Sequence, residues 1–152
     1  MSEPTSPETS EPSVSSQSAH IMIVDDDQHT LEILSRWLAR EGYETVRAES
    51  GPSCLTQLER KPVDVIVLDV MMPGMDGLEV CEKLRASDEW RDIPVVLLTA
   101  KDDIETRSKG MSLGVSEYLT KPVNKQELLT RLQAQVRSRQ LAQRLADIDK
   151  KL

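Results

Sequence analysis

The sequence predicts an α/β protein built on a doubly wound parallel sheet of five strands in the order 2-1-3-4-5. Short apolar segments rich in β-branched residues alternate five times with segments whose apolar residues recur at helical spacing. Two of the apolar segments, 63–68 and 93–98, are almost uninterrupted, which is expected of strands covered by helices on both faces. Several of the predicted strands end in a charged or hydroxyl residue, which is typical of a sheet with a polar site at one edge.

The first two strand–helix pairs are predicted between residues 21 and 60. Residues 21–24 form a short apolar strand that ends in three aspartates, and apolar residues then recur at helical spacing over 31–38. Gly42 is placed to end this helix, because glycine tolerates the positive φ of a helix C-terminus. Residues 44–48 are a plausible second strand, and 52–60 a helix with its cysteine and leucines facing inward.

The central strand is predicted at 63–68 and ends abruptly in Asp69. Proline and glycine then force a loop. Asp76 and Glu79 are spaced as the two members of a capping box, so a helix is expected to begin there and to cover 78–86. On this segment alone, Asp69 fits equally well a ligand-binding carboxylate and a turn carboxylate bound by local backbone N–H groups.

The remaining elements follow the same alternation. Residues 93–98 are predicted as a strand closed by Thr99, and 104–113 as a weaker helix interrupted by Gly110. Residues 117–120 are predicted as the fifth strand. Asn124 then begins a second capping-box spacing, from which a helix is expected to run towards the end of the chain.

Composition and charge restrict the class of protein. The 152 residues carry a net charge of −7, and residues 19–124 have 12 basic against 20 acidic side chains, which argues against a nucleic-acid surface there. Residues 1–18 are rich in Ser, Thr, Pro and Glu and are predicted to form a disordered tail. The sequence shows neither a signal peptide nor an apolar run of membrane-spanning length, so a cytoplasmic location is expected. Cys54 and Cys81 lack the spacing of a metal or redox pair and are expected in the core.

Polar groups at four predicted strand ends converge on one site in this fold. They are Asp25 and Asp26, Asp69, Thr99, and Lys121. Converging carboxylates repel one another unless a cation is present, and oxygen ligands suit Mg²⁺. An ammonium and a hydroxyl beside them suit a phosphoryl group that is transferred to Asp69.

Two of the aspartates have a simpler explanation. Asp25 or Asp27 could cap the helix that follows, and for Asp27 this is the favoured interpretation.

The sequence resembles the receiver domains of bacterial two-component response regulators. The resemblance covers about residues 20–137 and rests on the motifs IVDDD, VLDVMMPGMDG, LLTA and YLTKP, in that order. It implies the flavodoxin-like, CheY-like fold, to which this sequence adds an extended C-terminal helix. It also implies that Asp69 is the phosphoacceptor and that Mg²⁺ is held by Asp25, Asp26, Asp69 and the backbone carbonyl of Met71, with Asp26 as a direct ligand.

The same resemblance assigns a switch. Lys121 is expected to pair with the phosphoryl oxygens through its ammonium and to precede a cis bond to Pro122. Thr99 and Tyr118 are expected to move together when Asp69 is phosphorylated, although Tyr118 could instead be a fixed core residue. The altered surface would be formed by the fourth helix, the fifth strand and the fifth helix.

The chain continues beyond the predicted receiver domain, residues 19–138, into a helical extension at 139–152. Leu141, Leu145, Ile148 and Leu152 recur there at 4-3-4 spacing, the seam of a coiled coil. The extension could be a linker helix to an output domain, a stripe for dimerisation or partner binding, or an amphipathic helix exposed to solvent.

These observations predict a phosphorylation-operated switch rather than an enzyme, with phosphorylation and dephosphorylation self-catalysed at most. The expected partners are a histidine kinase or phosphotransfer protein, and a second copy or an effector at the altered surface and the C-terminal helix. Direct binding of nucleic acid or membrane is not expected. One alternative is a Mg²⁺-dependent phosphatase with an aspartyl nucleophile, but Met71 stands where such an enzyme needs a second carboxylate. The other is a docking scaffold that works without phosphorylation.

Overall fold

A computed structural model describes residues 19–100 and 103–151, which form one five-stranded parallel sheet with helices on both faces. The strand order is 2-1-3-4-5, as predicted. The strands are β1 His20–Val24, β2 Glu44–Ala48, β3 Val65–Asp69, β4 Val95–Thr99 and β5 Glu117–Thr120. The helices are α1 Gln28–Arg40, α2 Gly51–Arg60, α3 Gly77–Arg85, α4 Ile104–Ser112 and α5 Lys125–Lys151.

Side chains of the three middle strands alternate between two apolar cores. Met22, Ile66 and Leu97 belong to the core shared with α2 and α3. Ile21, Val65 and Val96 belong to the opposite core, shared with α1 and α5. Because both faces of the sheet are covered, β3 is buried along its whole length, and this explains why its sequence is continuously apolar.

The helix ends follow their sequence signals. Asp76 accepts a hydrogen bond from the Glu79 backbone N–H and Glu79 accepts one from the Asp76 N–H, so the predicted capping box is present at α3. Gly42 has a φ of +91° just beyond α1, as expected of a glycine that ends a helix. Asn124 accepts a hydrogen bond from the Glu127 N–H at the start of α5.

Two predicted strands have different bounds. β3 begins at Val65 rather than at 63, and β4 covers 95–99 rather than 93–98. Val63 and Ile93 are nonetheless buried in the core shared with α2 and α3. The bounds differ because an apolar loop residue that is buried and an apolar strand residue look alike in sequence.

The prediction that Gly110 interrupts the fourth helix was wrong. α4 continues through Gly110, which is its one buried residue. A Cβ added there would lie 3.1 Å from the Leu97 side chain, so the glycine allows α4 to lie close against β4. The C-terminal end of α4 is held by Arg85, whose guanidinium donates to the carbonyl oxygens of Leu113 and Gly114 at 2.9 and 3.1 Å.

The extended C-terminal helix is present, since α5 runs without a break from Lys125 to Lys151. No helix in the described residues is long and apolar enough to cross a membrane. The predicted disordered tail, 1–18, and Leu152 lie outside the described residues.

Candidate functional site

The four predicted strand ends meet at the carboxyl edge of the sheet. Asp25 directly follows β1, Asp69 ends β3, Thr99 ends β4, and Lys121 directly follows β5. Asp25, Asp69 and Thr99 are all buried. Neighbouring parallel strands end at the same edge of the sheet and so bring these residues side by side, although they are up to 96 positions apart in sequence.

Three carboxylates form an acidic cluster at this edge. Asp25, Asp26 and Asp69 each place a carboxylate oxygen within 4.8 Å of the others, and Asp26 is the exposed member. Such an arrangement fits a hard divalent cation, which takes oxygen ligands and neutralises charges that would otherwise repel. The three aspartates predicted to bind Mg²⁺ are therefore brought together in a way that suits the ion.

Lys121 provides the positive charge of the site. Its Nζ lies 2.8 Å from Asp69 Oδ1 and 3.3 Å from Asp25 Oδ2, so one ammonium bridges two buried carboxylates. The bond between Lys121 and Pro122 is cis, as predicted. Burial alone would disfavour the Lys121 ammonium, but its hydrogen bond to Asp69 and the charges of Asp69 and Asp25 outweigh burial and raise its pKa.

Asp69 is a carboxyl group held in an unfavourable environment for its charge. Burial raises its pKa, the hydrogen bond from Lys121 lowers it, and the charge of Asp25 raises it again, with a net increase above the ordinary value. The carboxylate of Asp69 is thus less stable than an exposed one, and an added cation that relieves the crowding is favoured.

The loop between β3 and α3 brings the backbone close to Asp69. A Cβ on Gly77 would lie 2.5 Å from the Asp69 carbonyl oxygen, so only glycine allows α3 to begin so near the end of β3. The loop also contains Met71, whose side chain is exposed and makes no part of the acidic cluster. This is compatible with a role for the backbone carbonyl of Met71 alone.

Asp27 is a helix cap, as favoured by the sequence. It is the N-cap of α1, and its carboxylate accepts from the His29 backbone N–H at 3.2 Å and from Thr30 Oγ1 at 2.7 Å. These bonds lower its pKa, with the Thr30 hydroxyl as the main cause. Asp27 lies outside the acidic cluster, whereas Asp25 accepts a hydrogen bond from the Asp27 N–H and belongs to it.

The two predicted switch residues lie on neighbouring strands. The buried Thr99 hydroxyl has no hydrogen-bond partner among the described residues. A buried hydroxyl without a partner is costly, which suggests that it serves a group that arrives at the site. Tyr118 stands opposite Leu97 in the register and is partly buried against the core shared with α2 and α3.

Sequence reasoning missed Arg107, which contacts this switch region from α4. Its guanidinium lies over the Tyr118 ring, 4.9 Å from the ring centre, and its Nη2 is 2.6 Å from Thr120 Oγ1. Arg107 is 11 positions from Tyr118, and no local sequence pattern connects a helix residue with a ring on the following strand.

Comparisons with known proteins all find similarity to response regulators. Residues 21–133 match the response regulator receiver domain. The chain is 43% identical over 120 residues to the response regulator PleD of Caulobacter vibrioides, covering 79% of this chain and 26% of PleD. It is 42% identical over 120 residues to the response regulator MprA of Mycobacterium bovis, covering 79% of this chain and 51% of MprA.

A solved structure shows the same similarity in three dimensions. The crystal structure of a putative response regulator from Chloroflexus aurantiacus superimposes with a TM-score of 0.74 at 36% sequence identity. The match covers 78% of this chain and 97% of that structure. By contrast, the chain spans only about a quarter of PleD and half of MprA.

Proposed function

The chain belongs to the response regulator receiver family, and from this premise we propose that Asp69 accepts a phosphoryl group in a Mg²⁺-dependent reaction and that the domain changes conformation in response. The main support for this proposal is the position of Asp69. It is buried between the Lys121 ammonium and two further carboxylates, and a hydroxyl without a partner stands on the next strand.

In the proposed reaction a carboxylate oxygen of Asp69 attacks the phosphorus of a phosphohistidine. A phosphorus–oxygen bond forms and the phosphorus–nitrogen bond breaks. The electron pair of the broken bond returns to the histidine ring, which leaves as neutral imidazole when its other nitrogen carries a proton. The donor is therefore a histidine kinase or a histidine-containing phosphotransfer protein.

Residues around Asp69 hold the transferred group. Lys121 already lies 2.8 Å from Asp69 Oδ1, so its ammonium can remain in contact with a phosphoryl oxygen after transfer. Asp25, Asp26, Asp69 and the backbone carbonyl of Met71 would hold Mg²⁺, with Asp26 as a direct ligand. When bound, the ion neutralises charge on the carboxylates and on the phosphoryl oxygens.

The response of the domain begins at Thr99. Its hydroxyl can donate to a phosphoryl oxygen by moving towards Asp69, and this hydrogen bond satisfies a buried donor. The space vacated is then available to the Tyr118 ring. Because Arg107 covers that ring and bonds Thr120, rotation of Tyr118 inward must alter the contact between α4 and β5.

The altered surface is the one formed by α4, β5 and α5. Gly110 and Arg85 hold the C-terminal half of α4, whereas its first turn has no buried side chain, so the N-terminal half is the part expected to shift. A second copy of the chain or an effector would bind this surface and the C-terminal helix. We retain the predicted division into a receiver domain, 19–138, and a helical extension, 139–152.

Incubation of the chain with acetyl phosphate and Mg²⁺, followed by intact mass measurement, tests this function. A lasting adduct of one phosphoryl group supports the switch. Steady release of phosphate without an adduct indicates the alternative phosphatase, and neither adduct nor turnover indicates a scaffold. The exposed Met71 argues against the phosphatase, because no acid–base carboxylate stands at that position.

A further inference from the structure

A groove lies at the amino edge of the sheet, the edge opposite the acidic cluster. It has a volume of about 200 Å³ and is lined by residues that precede β3 and β4. Leu58, Val63 and Ile93 contribute buried apolar side chains, and Trp90 contributes a partly buried aromatic ring. We name this feature the Trp90 groove. An aromatic ring beside apolar side chains suits a partner that presents apolar surface of its own.

The charged residues around the Trp90 groove are mainly basic, although residues 19–124 are acidic overall. Arg60, Lys61 and Arg139 line it together with two glutamates. None of these three cations forms an ion pair within the described residues. In the same part of the chain, the Arg139 guanidinium makes one long hydrogen bond, 3.4 Å from Nη1 to the Asp92 carbonyl oxygen, and its Nε is shielded from solvent without a partner. The groove therefore fits a partner that carries carboxylates.

Residues 1–18, the N-terminal segment, have this complementary chemistry. They contain three glutamates, three prolines and no basic side chain. Proline favours an extended backbone without internal hydrogen bonds, and proline-rich segments of this kind dock on grooves lined by aromatic side chains. A segment with too few apolar residues to fold alone can still bind in an extended form.

The N-terminal segment also joins the domain beside the Trp90 groove. His20, the first residue of β1, donates from its backbone N–H to Asp64 Oδ2 at 2.8 Å, and the Asp64 N–H donates to the His20 carbonyl oxygen at 2.8 Å. Val63, the neighbour of Asp64, lines the groove. Pro12 is seven residues before Ala19, so it can reach about 23 Å from there. The start of β4 is two strand spacings from β1, roughly 10 Å, and lies within that reach.

We propose that the N-terminal segment binds the Trp90 groove of its own chain in an extended form, with Pro12 against the Trp90 ring and Glu11 beside the Arg139 guanidinium. Attachment to the same chain gives the segment an effective concentration in the millimolar range, so a few weak contacts are enough to hold it there. The groove lies at the opposite edge of the sheet from Asp69 and takes no part in phosphoryl transfer. Failure of this proposal would therefore leave the proposed function standing.

Disulfide formation within the 152-residue chain tests the contact. Ser13→Cys places a thiol next to Pro12, and Glu59→Cys places a second one at the groove. The matched control combines Ser13→Cys with Glu41→Cys, which also removes an exposed glutamate at the amino edge. Glu41 is three residues before Glu44, whose N–H donates to the Ala19 carbonyl oxygen, so the control thiol is also near the point where the segment joins the domain.

The native cysteines provide an unreactive background. Cys54 and Cys81 are buried, and burial raises the pKa of their thiols to about 12 and about 11. With oxidised glutathione as the oxidant, we expect the Glu59→Cys pair to close about tenfold faster than the Glu41→Cys pair, because docking raises the effective concentration of the thiol at the groove. Equal rates, or faster closure of the control pair, would overturn the proposal.

The same experiment identifies which chain supplies the segment. A disulfide within one chain leaves the protein monomeric on a non-reducing gel, and its rate does not depend on protein concentration. A disulfide-linked dimer as the main product, formed faster at higher concentration, would show that the groove takes the segment of a second copy and would overturn the assignment to the same chain.

Charge reversal tests the ionic part of the contact. In the chain with Ser13→Cys and Glu59→Cys, Glu11→Lys and Arg139→Glu should each slow disulfide closure roughly fivefold, because an attractive pair becomes repulsive. The double reversal should restore most of the rate, since it recreates the pair with its signs exchanged. Glu11 lies outside the folded domain, so its substitution leaves the groove intact. An unchanged rate in Glu11→Lys, or a double reversal as slow as the single ones, would contradict the proposed pairing of Glu11 with Arg139.

Discussion

Removal of the Lys121 ammonium is the perturbation for which the structure gives the clearest energetic expectation. In the variant Lys121→Met, the buried carboxylates of Asp25 and Asp69 lose the ammonium that bridges them. Breaking a buried ion pair typically costs about 3–5 kcal/mol. The Lys121 side chain is 36% exposed, so solvent screening reduces the expected loss to roughly 2 kcal/mol. For a domain of this size, that loss corresponds to about 8 °C in the melting temperature.

The loss should depend on Asp69. In the Asp69→Asn background one of the two unpaired charges is already gone, so Lys121→Met should cost about 1 kcal/mol less than it does in the wild type. Urea unfolding followed by circular dichroism, with divalent cations chelated, measures the free energy of unfolding of the wild type, the two single variants and the double variant. Lys83→Met on the exposed side of α3 is the matched control and should change the free energy of unfolding by less than about 0.5 kcal/mol. If Lys121→Met is as stable as the control, or if its cost is the same in the Asp69→Asn background as in the wild type, the proposed crowding of carboxylates is wrong.

Three further predictions concern the acidic cluster and the switch. Asp26→Ala should weaken Mg²⁺ binding in calorimetric titrations far more than Asp27→Ala, because Asp26 belongs to the acidic cluster and Asp27 does not. Equal losses would show that the ligands are misassigned. Because the pKa of Asp69 is raised in the metal-free chain, the wild type with divalent cations chelated should gain stability relative to Asp69→Asn as pH falls through that pKa. A stability difference that does not change with pH would contradict this. Thr99→Ala should still bind beryllofluoride, a phosphoryl mimic, but the mimic should change its amide exchange over 104–118 less than in the wild type. Identical changes in the two proteins would show that Thr99 has no part in the conformational change.

The fold could be predicted from sequence because its signals are local. Apolar strand segments, capping boxes and the glycine after α1 each act within a few residues, and the alternation of strands and helices then restricts the topology. The acidic cluster could also be anticipated, because parallel strands bring their carboxyl ends to one edge. Asp25, Asp69, Thr99 and Lys121 do meet there.

The features that could not be predicted depend on contacts between distant elements. Gly110 looked like a helix breaker, because nothing in sequence shows that β4 lies within contact distance of α4. Arg107 looked like an ordinary surface cation, yet it lies on the Tyr118 ring. Arg85 looked equally ordinary, yet it donates to carbonyl groups 28 and 29 positions away. These long side chains reach partners that no local pattern specifies.

The most direct test of the proposed function locates the phosphoryl group in the chain. The wild type and Asp69→Asn are incubated with acetyl phosphate and Mg²⁺, reduced with borohydride, which converts an aspartyl phosphate to homoserine, and digested for peptide mass mapping. We predict homoserine at position 69 in the wild type and at no aspartate in the variant. Homoserine at another aspartate of the wild type, or an unchanged phosphoryl adduct in Asp69→Asn, would contradict the assignment of Asp69 as the phosphoacceptor.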